Sequence, residues 1–182
     1  MFPSSFQYQI ALVKHYKETD ESEKMNSALE TILERNSSNP FQLSIYAQGF
    51  YNNQLYDEAI KFFNFSRKIR GQESVHALEL ASLYRMTGKQ GEMIEEYLIY
   101  ANGNNNRLTY VKNLLQNLIK EEKDLQNLET TILEKMQDSP SELQFAELLL
   151  WIQLQRKDFY AAFIQARAID LRNDLPGDRS MY

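Results

Sequence analysis

The chain has 182 residues, 43% hydrophobic, 25% charged and 12% aromatic, the balance of a folded domain or a short repeat array with a sizeable core. Twenty Lys and Arg against 25 Asp and Glu give a net charge of −5, the wrong sign for sequence-independent nucleic-acid binding. The lack of cysteine excludes disulfide frameworks, thiolate zinc sites, iron–sulfur clusters and cysteine nucleophiles.

Hydrophobic spacing and turn residues predict helices over 4–17, 22–36, 41–52, 55–70, 74–87, 90–101, 107–120, 124–137, 141–155 and 158–172. With only six Gly and four Pro, the turn-makers of a many-stranded sandwich or barrel are missing. Residues 1–17 lack a basic n-region and a small-residue cleavage site, so they are not a signal peptide as they stand. No apolar run approaches the roughly 20 residues of a membrane span, so no membrane insertion is expected.

The helices repeat. Phe50, Tyr84, Leu118 and Ile152 stand 34 residues apart, with Tyr16 one period earlier. Three further registers keep the period: Leu12, Tyr46, Leu80, Leu114 and Leu148; Val13, Ala47, Ala81, Leu115 and Leu149; Gln9, Leu43, Ala77, Val111 and Phe145. Of these 20 positions 19 are apolar, where a 43% composition supplies about nine by chance. Their offsets of 0, +3, +4 and +7 mark one helix face. Each unit then carries a second stripe: Met25, Leu29 and Ile32; Ala59 and Phe63; Met93 and Tyr97; and, slipped by one place, Leu128 with Ile132 and Ala162 with Ala166. An extra residue in the inter-helix turn, or a rotated second helix, accounts for the slip.

Five helical hairpins result, at about 6–39, 40–73, 74–107, 108–141 and 142–175. A 34-residue helix-turn-helix unit of this kind resembles the tetratricopeptide repeat. The resemblance is carried best by Leu43, Tyr46, Ala47, Phe50, Ala59 and Phe63 in the second unit, followed by Leu80, Ala81, Tyr84 and Tyr97. Leu115 and Leu149 replace the small residues of the helix crossing in later units, and the Pro signature survives at Pro40 and Pro140. The resemblance implies an all-α, right-handed superhelix forming one domain over 1–182, without cofactor or metal, and points to a bacterial source in an unspecified compartment.

It also implies a groove lined by the first helices, at their second, fifth, ninth and twelfth positions. Carried over, these are Gln7, Ile10, Lys14 and Lys17; Phe41, Ser44, Gln48 and Tyr51; Val75, Leu78, Ser82 and Arg85; Thr109, Lys112, Gln116 and Ile119; and, in the fifth unit read one place along in the shifted register, Gln144, Glu147, Trp151 and Leu154. Lys14, Phe41, Gln48, Tyr51, Ser82, Arg85, Lys112, Gln116 and Trp151 are the expected contacts to a peptide or protein partner. Trp151 also suits a place between packed helices. The Lys, Asn and Arg of the carboxylate-clamp subclass are replaced by Ser44, Ile45, Gln48, Val75 and Glu79, so that mode of binding is not implied.

No catalytic device is legible. His15 and His76 lie far apart in sequence, which argues against a three-ligand metal site or a Ser-His-Asp arrangement. Glu95-Glu96 and Glu121-Glu122 diverge as helix neighbours, and Gly88-Lys89-Gln90-Gly91 reads as an inter-helix turn, since it lacks phosphate-loop spacing. Asn36-Ser37-Ser38 and Asn64-Phe65-Ser66 match only the weak glycosylation pattern.

The last helix is apolar over most of its circumference, through Phe159, Tyr160, Phe163, Ile164, Ile169 and Leu171, until Pro176-Gly177 ends it. A terminal repeat should show a polar outer face. Either a further repeat follows in a longer protein, or a second copy docks on Phe163 and Ile164.

Overall fold

A computed structural model describes residues 5–102, 104–118, 121–138 and 143–174. Among them lie ten helices and no strand: α1 (Phe6–Glu18), α2 (Ser22–Arg35), α3 (Pro40–Asn52), α4 (Tyr56–Arg70), α5 (Ala77–Met86), α6 (Gln90–Ala101), α7 (Asn105–Leu118), α8 (Glu122–Asp138), α9 (Leu143–Gln155) and α10 (Phe159–Asp174). They pair into hairpins in the predicted order. The chain divides into two compact units, Met1–Glu96 and Tyr97–Tyr182.

In both units the periodic positions are the core. None of those described is exposed; Leu43, Ala47, Phe50, Leu80, Val111, Leu148 and Ile152 are fully buried. The second stripe is buried likewise at Leu29, Ala59, Phe63, Leu128, Ile132 and Ala162. In the first unit α1 packs on α3, closely enough that a Cβ on Gly49 would sit 2.2 Å from Ile10 Cδ1 and 2.6 Å from Phe6 Cζ. In the second unit α9 packs against α7, α8 and α10.

One turn recurs inside the hairpins. The chain turns left-handed at Asp20, Gln54, Gly88 and Lys157, with φ of 58°, 61°, 73° and 58°. The next residue's N–H reaches back five positions: Glu21 to the Tyr16 carbonyl (2.8 Å), Leu55 to Phe50 (2.9 Å), Lys89 to Tyr84 (2.8 Å) and Asp158 to Gln153 (2.9 Å). This is the Schellman closure of a helix C-terminus. The same residue then starts the second helix, its carbonyl accepting from Met25, Ala59, Met93 and Ala162 respectively.

The first three left-handed residues keep the 34-residue period, and Lys157 comes one place late. Phe145, Leu149 and Ile152 remain in register and buried. The extra residue therefore lies in the last turn of α9, which resolves the fifth unit's slip in favour of an insertion. The fourth unit departs from this turn: Glu122, one period after Gly88, already opens α8. Residues 119–120 before it, like Pro140 and Pro176-Gly177, lie outside the described residues.

Helix starts use side-chain caps. Asn39 Oδ1 accepts from the Gln42 N–H at 3.0 Å ahead of Pro40, Asn104 Oδ1 from Arg107 at 3.0 Å, and Asp158 Oδ1 from Ala161 at 3.0 Å. The fifth helix departs from expectation, beginning at Ala77 and not at 74. His76 takes a left-handed φ of 62° just before it, a conformation that breaks the helical run.

Candidate functional site

In the first unit, α3 and α5 present their exposed faces around a cavity of about 300 Å³ lined by Gln48, Tyr51, Phe63, Leu78, Glu79 and Ser82. Gln48 and Tyr51 are three apart on α3, and Leu78 and Ser82 four apart on α5, the spacings that put side chains on one helix face. Phe63 of α4 supplies the floor. The expected contacts Gln48, Tyr51 and Ser82 therefore meet at one place. Phe63 and Glu79 were not expected there: Phe63 reads as pure core, and Glu79 falls between the groove positions.

Behind the cavity stands a polar cluster. The His76 Nε2 lies 2.8 Å from Ser44 Oγ and 3.3 Å from Ser66 Oγ. Both hydroxyls reach the Pro40 carbonyl, at 2.9 and 2.8 Å, and the His76 ring packs on Phe63 with centroids 4.7 Å apart. His76 Nδ1 is 3.9 Å from Glu79 Oε1, too far for a good hydrogen bond. Its pull still holds the Glu79 carboxyl below the ordinary carboxylate range, against a smaller opposing effect of burial. The Ser44 and Ser66 hydroxyls are engaged by a backbone carbonyl, and Ser66 is fully buried. The cluster ties α3, α4 and the start of α5 together. His76 is thus a satisfied partner; the convergence with Ser44 across 32 residues has no signature in the sequence.

The other expected residues of this unit separate. Lys14 is half-buried and lines a second cavity of about 280 Å³ with Lys17, Glu18, Asn53, Gln54 and Leu55. Phe41 is 67% exposed and lines neither of these two cavities. Arg85 is exposed, one helical turn beyond Ser82 on the same face of α5. One position carried over from the repeat needs correction, and a second has a partner within the fold. Ile10 is 4% exposed and belongs to the core, drawn in by the space above Gly49. Lys17 donates to both carboxylate oxygens of buried Glu58 at 2.9 Å, so its charge neutralises a carboxylate of α4.

A second buried ion pair closes the unit. Arg67 donates to Glu96 through Nη1 (2.8 Å) and Nη2 (2.5 Å) and to the Val75 carbonyl through Nε (2.9 Å). This accounts for both residues: Val75 is used through its backbone, and Glu96 turns inward while Glu95 points elsewhere on α6. Burial raises the Glu96 carboxyl above the ordinary range, outweighing the opposing pull of Arg67.

In the second unit Lys112 is half-buried and Gln116 exposed, one turn apart on α7, and Trp151 is half-buried on α9. Ile119 lies outside the described residues. On α10, Phe159, Tyr160, Phe163, Ile164 and Leu171 are 68%, 79%, 63%, 48% and 59% exposed, while Ala162 and Ile169 face the core. Among the described residues no group of three or more His, Asp or Glu could hold a metal ion. No helix of the described residues is long and apolar enough to cross a membrane.

No family model matches the chain. No curated protein matches it either. Among solved structures it is similar to the MamA protein, at 8% identity over 97% of this chain and 96% of that one, with a TM-score of 0.41. A Podosopora anserina putative kinesin light chain with nearly identical TPR-like repeats is similar at 16% identity over 94% and 99% of the two chains, TM-score 0.38. Naa15/Naa10 bound to HypK-THB is similar at 15% identity over 94% of this chain and 26% of that one, TM-score 0.43. The paired helices, their 34-residue period and the recurring turn make this a TPR-like helical-repeat fold.

Proposed function

We propose that the chain is a non-catalytic protein-interaction module that holds a peptide or extended segment of a partner against its first helices. In the first unit the segment lies over α3 and α5, touching Phe41, Gln48, Tyr51, Ser82 and Arg85, with Lys14 at the α1 side; in the second unit Lys112, Gln116 and Trp151 take the same part. The observation that carries this reading is the cavity between α3 and α5, where the amide of Gln48, the ring of Tyr51 and the hydroxyl of Ser82 converge. An aromatic anchor beside groups that hydrogen-bond a main chain is what a peptide trough needs. Partner retention by the immobilised chain, compared with Tyr51→Ala and Arg85→Ala, tests it. Both variants should fold and lose the partner; binding unchanged in both would end the assignment.

A second reading, self-association through α10, is favoured by one observation: Phe163 and Ile164 stay 63% and 48% exposed beside Phe159 and Tyr160. A run of large apolar side chains on one exposed helix marks an interaction surface. Sedimentation at several concentrations separates the readings, since only this one expects a dimer that Phe163→Asp with Ile164→Asp abolishes.

A further inference from the structure

The cavity between α3 and α5 is not neutral. Its walls are Tyr51, Phe63 and Leu78, its uncharged polar groups are Gln48 and Ser82, and Glu79 is the one ionisable carboxylate at its edge. Gln48 Nε2 already donates to Asn52 Oδ1 at 3.0 Å, so its amide is partly committed. The carboxylate of Glu79 is half-exposed, and its nearest basic neighbour, the His76 ring, is turned by its Nε2 towards Ser44 and Ser66. The cavity therefore combines an apolar wall, an aromatic ring and an anion that accepts a further cation. A volume of about 300 Å³ is at the small end for ligand pockets, the scale of one long side chain.

Glu79, Ser82 and Arg85 follow one another at three-residue steps, forming a single ridge along α5. Arg85 is exposed and makes no side-chain ion pair among the described residues. Six residues of helix separate the two charges by about 9 Å along the axis. An extended peptide covers that distance in about three residues.

Resting on the peptide-binding reading above, we propose that this cavity takes the side chain of a lysine or arginine from an extended partner segment. Glu79 is its counter-ion, and Arg85 selects an acidic residue two or three positions away. The aliphatic stem lies against Leu78 and Phe63, and the cationic head sits between the Tyr51 ring and the Glu79 carboxylate, where ring and charge attract it together.

The test is selection of a displayed library of random decapeptides on the full chain, on Glu79→Gln and on Arg85→Gln, with folding checked by circular dichroism. The native chain should enrich Lys or Arg with Asp or Glu two or three positions away. Glu79→Gln should lose the basic preference alone and weaken a selected peptide about tenfold, and Arg85→Gln should lose the acidic preference alone. Enrichment without a basic bias, or a bias that survives Glu79→Gln, would overturn the charge assignment while leaving peptide binding intact. Failure to enrich any peptide on the folded chain would remove the underlying reading as well. Spermidine displacing a selected peptide at equal concentration would give the cavity to a small free cation and overturn the proposal.

Discussion

Arg67 and Glu96 face each other through two parallel hydrogen bonds of 2.8 and 2.5 Å, with side chains 15% and 7% exposed. The pair joins α4 to α6, and its third bond, to the Val75 carbonyl, fixes the connection before α5. Removing one member of a buried pair strands the other charge without solvent. Arg67→Ala should therefore cost about 3 kcal/mol, measured by urea unfolding at neutral pH. A loss below about 1 kcal/mol, the size of a surface pair, would show that water reaches Glu96.

The same pair sets a pH dependence. Burial raises the Glu96 carboxyl above its ordinary value of 4.5, so just above pH 4.5 the native state keeps a proton that the unfolded chain has released. Stability contributed by this group falls as pH rises through that window. Glu79, held below 4.5 by His76, acts in the other direction, its contribution being lost as pH falls below the ordinary value. Unfolding midpoints of the native chain and Glu96→Gln between pH 4 and 7 should show a downward slope that the variant lacks. A native chain that gains on the variant over the same range would mean that Arg67 outweighs the burial.

Gln54 and Lys157 occupy left-handed turn positions with φ of 61° and 58° where Gly88 serves in another hairpin. A side chain with a Cβ is strained there and glycine is not. Gln54→Gly and Lys157→Gly should each raise stability by about 0.5 to 1 kcal/mol, and Gly88→Ala should lower it by about 1 kcal/mol. Thermal midpoints that move the other way would place the strain elsewhere.

Gln153 is buried at the end of α9 and its Oε1 has no hydrogen-bond partner among the described residues. An unpaired buried carbonyl costs free energy that an apolar group of similar size does not. Gln153→Leu should stabilise the second unit by about 1 kcal/mol, read as a higher urea midpoint. A destabilised variant would reveal a partner for the amide.

The repeat and the helices were legible because a hairpin too small for a core of its own must bury one stripe per helix, and that demand prints apolar residues every 34 positions whatever their identity. Leu43, Phe50, Leu80 and Ile152 announce their burial in this way. The pairings were not legible. Lys17 meets Glu58 across 41 residues, Arg67 meets Glu96 across 29, and Ser44 meets His76 across 32. A charged side chain at a given helix position looks the same in sequence whether it faces solvent or a neighbour. Ile10 and Glu79 show the difference from opposite sides. The missing Cβ of Gly49 takes one from the groove into the core, and the left-handed turn at His76 sets the start of the helix that carries the other to the cavity. Sequence periodicity determined which faces pack; only the approach of particular helices in space decided which polar groups are neutralised within the fold and which stay exposed.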